Sequence, residues 1–170
     1  MIKKEIEQAL NEQITREIFS SLLYLSMAGY YKNQNLNGFA NWMFVQAKEE
    51  MDHAMKMFHF LLDRGGKTKV GKIDDIQNEW PSPLQAFEAA LHHERFITEN
   101  INKIAELAIK EKDHATNNLM QFFINEQVEE EAQVEDIVNR MKMMEGFSGG
   151  LMMLDAELKQ RQYTPMVANE

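Results

Sequence analysis

Cysteine is missing from all 170 positions of the chain. The protein therefore forms no disulfide, holds no iron–sulfur cluster through thiolates and builds no thiolate zinc site. A reducing cytoplasm is the expected setting. Proline and glycine are scarce, with 3 and 8 copies, and they punctuate the chain rather than scatter through it. No apolar run reaches the roughly 18 residues of a membrane span. The opening Met-Ile-Lys-Lys-Glu-Ile-Glu has no apolar stretch of signal-peptide length. No membrane is expected. Positive charge is in the minority, 18 Lys and Arg against 27 Asp and Glu, for a formal net charge of -9. That balance argues against nucleic acid as a partner and suits a protein that attracts cations. What is plentiful is apolar side chain, 44% of residues, enough to build the core of one globular domain.

Apolar residues recur at helical spacing in four long segments. The segments predict helices over about 4–33, 37–64, 83–112 and 113–145. Asn33-Gln34-Asn35 ends the first and Gly65-Gly66 the second. Ser82-Pro83-Leu84-Gln85 reads as a helix start, with Ser82 as cap, Pro83 in the first turn and Gln85 completing a capping box. Asp113 can cap the fourth helix. Ser148 or Gly149-Gly150 opens a short fifth helix reaching about 159, and the tail over 160–170 is expected to be loosely held. The first two helices and the last two long helices are joined by short turns, so each pair should be an antiparallel hairpin. The connection over 65–81 is long enough to run the length of a bundle. It would set the second and third helices parallel. The expected fold class is all-α, a four-helix bundle with a long crossover and a short fifth C-terminal helix.

The inward stripes are interrupted. The second helix reads Phe39, Met43, Gln46, Glu50, His53, Met57, Phe60. The third reads Leu84, Phe87, Leu91, Glu94, Thr98, Ile101, Ala105. The fourth reads Met120, Phe123, Gln127, Glu130, Val134, Ile137, Met141, and the first, less cleanly, Leu10, Ile14, Glu17, Ser21, Tyr24, Ala28. Glu17 and Glu50 stand 33 positions apart, as do Glu94 and Gln127, and Glu50-x-x-His53 is shadowed 77 positions later by Gln127-x-x-Glu130. Every interruption falls near a helix midpoint, so in helices of similar length the polar groups should meet in one layer. Four ionised glutamates in a low-dielectric layer cost several kcal/mol each without compensation. Two divalent cations supply the matching charge. Oxygen ligands with one imidazole suit iron(II) or manganese better than structural zinc. Residues three apart share a helix face, so Glu50 and His53 can hold one ion, and Glu50 could bridge to a second held by Glu94 and Glu130. A polar layer that merely sets helix register is the competing reading.

Four segments carry a family resemblance: Glu17-x6-Tyr24, Glu49-Glu50-Met51-Asp52-His53, His93-Glu94 and Asn125-Glu126-Gln127-Val128-Glu129-Glu130. Together they resemble the bacterial non-haem ferritins, over nearly the whole chain. The resemblance implies an iron-storage protein with ferroxidase activity, oxidising Fe(II) with O2 or H2O2 and keeping the product as a ferric mineral inside a homo-oligomeric shell of 24 subunits. It implies one iron held by Glu17, Glu50 and His53 and another by Glu50, Glu94 and Glu130. Gln127 would lie just outside these ligands, and Tyr24 would hydrogen-bond near the site and could supply an electron. Glu49, Glu126 and Glu129 match a third iron position, for which a solvated acidic face is the alternative. Bacterioferritins repeat Glu-x-x-His on both helices; here the second copy is Gln127-x-x-Glu130, so no haem is expected and Met51, at the haem-ligand position, is read as packing. A haem-containing bacterioferritin and a di-iron oxidase or peroxidase are the alternatives. The acids that line a channel in animal ferritins correspond to Asn117 and Met120. The 13 methionines, including Met141, Met143, Met144, Met152 and Met153, are read as core filling. His59, His92, His93 and His114 are read as surface or cap residues.

Overall fold

The computed structural model describes residues 2–166. Five helices follow one another: α1 Lys4–Asn33, α2 Asn37–Asp63, α3 Pro83–Lys110, α4 His114–Met143 and α5 Ser148–Leu158. The architecture is the expected all-α bundle of four long helices with a short fifth. Helix ends agree with the sequence reading to within two residues. None of the described helices is long and apolar enough to cross a membrane.

The ends are set by local chemistry. After α1, Asn35 adopts φ 62, and the amides of Asn35 and Leu36 donate back to the carbonyls of Lys32 and Tyr31. After α2, Gly65 at φ 71 does the same, with Gly65 and Gly66 donating to Leu62 and Leu61. Both are Schellman endings, which require a left-handed residue after the cap. The third such ending closes α3 through Lys112 at φ 56. Ser82 accepts from the Gln85 amide at 3.2 Å and caps α3. Asp113 accepts from the Thr116 amide at 3.0 Å and also takes both guanidinium nitrogens of Arg64, each at 3.0 Å. One carboxylate thus starts α4 and ties it to the end of α2. The start of α2 has no cap from its own chain neighbours; the Asp155 carboxylate of α5 accepts from Gly38 N at 2.7 Å and Phe39 N at 3.1 Å. A Cβ on Gly38 would lie 1.6 Å from the Asp155 carbonyl oxygen, so only glycine lets α5 approach this closely.

The segment over 64–82 runs beside α1. It binds in turn to Glu7, Asn11 and Thr15, one helical turn apart, and then to Ser26. Trp80 ends the run, its ring centroid 5.2 Å from that of Tyr30. The crossover therefore travels in the same direction as α1. Since α2 runs opposite to α1, α3 starts at the same end as α2 and lies parallel to it, as expected. Two apolar clusters fill the bundle, one around Tyr24, Tyr31, Phe39 and Phe87, the other around Ile6, Leu10, Met57 and Phe123. Between them sits a layer of buried polar residues.

Candidate metal centre

Glu17 lies near the middle of α1, Glu50 and His53 on α2, Glu94 on α3, and Gln127 and Glu130 on α4. All six residues are at most 8% exposed, so the acids are shielded from bulk solvent. They gather into two overlapping groups. Glu17, Glu50 and His53 each offer a ligand atom within 4.8 Å of the others, and so do Glu50, Glu94 and Glu130. Glu50 belongs to both. Spacing alone placed Glu50 and His53 on one face; the fold brings the other three helices to the same level.

Most of the acid oxygens are held by the protein. Gln13 donates to Glu17 at 2.8 Å. The Gln46 amide donates to Glu50 at 3.0 Å and to Glu130 at 3.1 Å. The Tyr24 hydroxyl and the Gln127 amide donate to the two oxygens of Glu94, the latter at 3.1 Å. Oε2 of Glu17 and Oε2 of Glu130 are buried with no partner among the described residues. An orphaned carboxylate oxygen at a charged centre is a costly arrangement unless a cation completes it. The acid–base balance points the same way. Burial, then repulsion from Glu50, pushes Glu17 and Glu130 well above the usual carboxylate range. Burial, then Glu50, raises Glu94 to about 8. Burial would raise Glu50 also, but the hydrogen bonds and charge of His53 together with Gln46 bring it below its ordinary value. Burial lowers His53 as a cation, and Glu130, Glu126 and Glu50 more than offset that, leaving it well above an ordinary histidine. Burial and then Glu94 raise the Tyr24 phenol. Burial and mutual repulsion therefore oppose ionising these acids together unless a cation offsets their charge. Four carboxylates, an imidazole and two unpartnered oxygens fit hard divalent cations such as iron(II).

A ferritin-like domain model matches residues 7–144. The chain belongs to the ferritin family. It is 41% identical over 161 residues to the bacterial non-heme ferritin of Bacteroides fragilis, covering 95% of this chain and 100% of that one. The bacterial non-heme ferritin of Campylobacter jejuni is 35% identical over 159 residues, 94% of this chain and 95% of that one. Among solved structures, an open-pore ferritin from the hyperthermophilic archaeon Archaeoglobus fulgidus superposes with a TM-score of 0.94 at 46% identity, covering 95% of this chain and 100% of that one. A humanized archaeal ferritin gives 0.95 at 47% identity, over 97% and 100%.

The three acids matched to a third ferritin iron position have different surroundings. The Glu49 carboxylate lies 2.5 Å from Arg161 Nη2, Glu126 lies 3.8 Å from His53 Nε2, and Glu129 is exposed. The loosely held tail is corrected as far as residue 166: Arg161 is tied to α2, and Tyr163 donates to Asp52 at 2.6 Å. Residues 167–170 lie outside the described part. His93 is no surface residue; it is half-buried, with Nε2 2.7 Å from the Ser20 hydroxyl, while His59, His92 and His114 are exposed. Met51 is 37% exposed rather than packed in the core. Of the five C-terminal methionines, Met141 is buried and Met143, Met152 and Met153 are exposed.

Two glutamines support the acids: Gln13, absent from the sequence reading, and Gln46, which is on the inward stripe but has no role assigned there. Gln13 and Gln46 each sit four residues before a ligand candidate on the same helix, Glu17 and Glu50. They stand 33 positions apart, the same offset as the acids they hold. That repeat was the available signal. Arg161 left none, since its partners lie 112 to 119 positions away.

Proposed function

We propose that the protein is an iron-storage ferritin with ferroxidase activity, working as one ferritin-like domain along the whole chain. Glu17, Glu50 and His53 take one Fe(II), and Glu50, Glu94 and Glu130 take a second. Each iron gives up one electron. The two electrons carry O2 to the level of peroxide, or H2O2 to water. Hydrolysis of the Fe(III) releases protons, and the iron passes to a ferric mineral inside a homo-oligomeric shell of 24 subunits.

The chain's own contribution is proximity and charge. Glu50, shared by both groups, holds two cations near one another, so two one-electron donors face one acceptor. Gln13, Gln46, Gln127 and Tyr24 fix the carboxylates in place, as hydrogen bonds around metal ligands do elsewhere. The second position lacks an imidazole, having Gln127 where its echo has Glu50 and Glu130 where it has His53. It should hold iron more weakly than the first, which suits an iron that must leave for the store. The observation that carries this reading is the pair of buried ligand groups overlapping at Glu50.

The test is anaerobic Fe(II) loading followed by oxygen, on the protein and on Glu50→Ala, with Fe(III) formation followed by absorbance. The native protein oxidises iron rapidly, and the variant loses at least about a hundredfold in initial rate, because both positions lose a ligand. Equal rates would remove the assigned centre. A haem absorption band in the purified protein would instead point to the bacterioferritin alternative.

A further inference from the structure

Beyond α5 the chain turns back along α2 and touches it over consecutive turns. Asn41 Nδ2 donates to the carbonyls of Leu158 and Lys159, both at 3.3 Å, and of Arg161 at 3.0 Å. The Arg161 guanidinium stacks on Trp42, 4.2 Å from the ring centroid, and donates to the Trp42 carbonyl at 3.1 Å. It also donates to Gln46 Oε1 at 2.9 Å and Glu49 Oε2 at 2.5 Å. Further out, Asp52 accepts from Tyr163 OH at 2.6 Å and Met166 N at 3.1 Å. The Arg161 side chain is 17% exposed.

This places a fixed positive charge at the rim of a cation-binding centre. Glu49 precedes Glu50, and Gln46, held by Arg161 at its carbonyl end, donates from its amide end to Glu50 and Glu130. Arginine does not lose its proton in proteins, so it remains a competing cation at any working pH. A metal ion seeking Glu49 meets a carboxylate already neutralised by a bidentate-capable donor held in place by an aromatic face.

We propose that Arg161 is a tethered cation that closes Glu49 to metal, so that iron binds outside the pair only by displacing the segment 159–166. The proposal rests on the ferroxidase reading of the paired centre. It makes the third position a gated one. The contacts of Tyr163 with Asp52 and of Asn41 with Arg161 set how readily the arm lifts.

The test is anaerobic calorimetric titration of Fe(II) into metal-free native protein, Arg161→Gln, Arg161→Lys and the double variant Arg161→Gln/Glu49→Gln, each first checked for native-like assembly and melting. Removing an opposing charge at contact distance changes cation affinity by about tenfold or more. In Arg161→Gln the weakest class of Fe(II) sites tightens about tenfold while the two tighter sites stay within about twofold. Arg161→Lys keeps the charge and stays near native. In the double variant the gain disappears, because the carboxylate it exposed is gone. A weak class unchanged in Arg161→Gln overturns the proposal and leaves the arm a structural strap. Weakening of the pair without a gain at the weak class also overturns it, leaving only the orientation of Gln46. If the native protein takes up no pair of tight Fe(II) ions, the ferroxidase reading fails and this proposal with it.

Discussion

Glu94 shows at a single residue what it means to bury an acid for a cation. Its carboxyl is raised from 4.5 to about 8 by burial and by Glu50. In metal-free protein the unfolded chain ionises above about 4.5 while the folded one keeps its proton up to about 8. The unfolded state therefore binds fewer protons across that window, and stability falls as pH rises. The stability is fully present below pH 4.5 and is lost progressively toward 8. Glu94→Gln removes this share of the slope. Urea unfolding of the metal-free proteins at pH 5, 6, 7 and 8 should give a native midpoint that falls more steeply than the variant's; parallel curves would contradict the assignment. Glu17, Glu130 and His53 shift in the same direction, so the variant keeps a reduced slope. These acids were legible because a charged residue on an apolar stripe is conspicuous. Gln13 and Gln46 carry a fainter mark, the 33-position offset they share with Glu17 and Glu50, because an uncharged glutamine on a helix stands out less than an acid does. His93 reads as a surface residue for a related reason. It sits beside the seam, and its burial depends on Ser20 and Phe19 of α1.

Helix ends show the same division at the next scale. Asn35 and Gly65 announce left-handed endings by residue type, and both helices stop there. Lys112 does not, yet it takes φ 56 in the same hydrogen-bonded motif. The short turn between α3 and α4, pinned by Asp113 to Arg64, forces it there. A β-carbon in this conformation costs about 1 kcal/mol or more relative to glycine. Lys112→Gly should therefore raise the unfolding free energy by about 1 kcal/mol, measured by urea denaturation; a loss of stability would mean that the Lys112 side chain makes a contact worth more than the strain. Asp155 and Arg161 mark the limit of local reading. Each acts on α2 from more than 100 positions away, and local propensity holds no information about a partner so distant. A short segment after the last helix reads as loose, but α2 supplies its contacts.

In the whole molecule, the crossover and the polar layer explain one another. The crossover sets α3 parallel to α2, so Glu94 comes level with Glu50 when the helix midpoints align. The apolar core is then divided in two by the layer that the four helices bring together. Fold and centre were readable for this reason: equal helix lengths turn positions along the sequence into heights in the bundle. The assembly was not readable in that way, since a shell depends on surfaces that one chain does not pair with itself. The central claim is that Glu50 stands between two cations. Anomalous diffraction at the iron edge, from crystals soaked in Fe(II) without oxygen, tests it most directly. Two peaks about 3.5–4 Å apart, the separation usual for paired catalytic metals, should flank Glu50, one beside Glu17 and His53 and the other beside Glu94 and Glu130. No peak in the layer, or a single ion that Glu50 does not touch, would contradict the account.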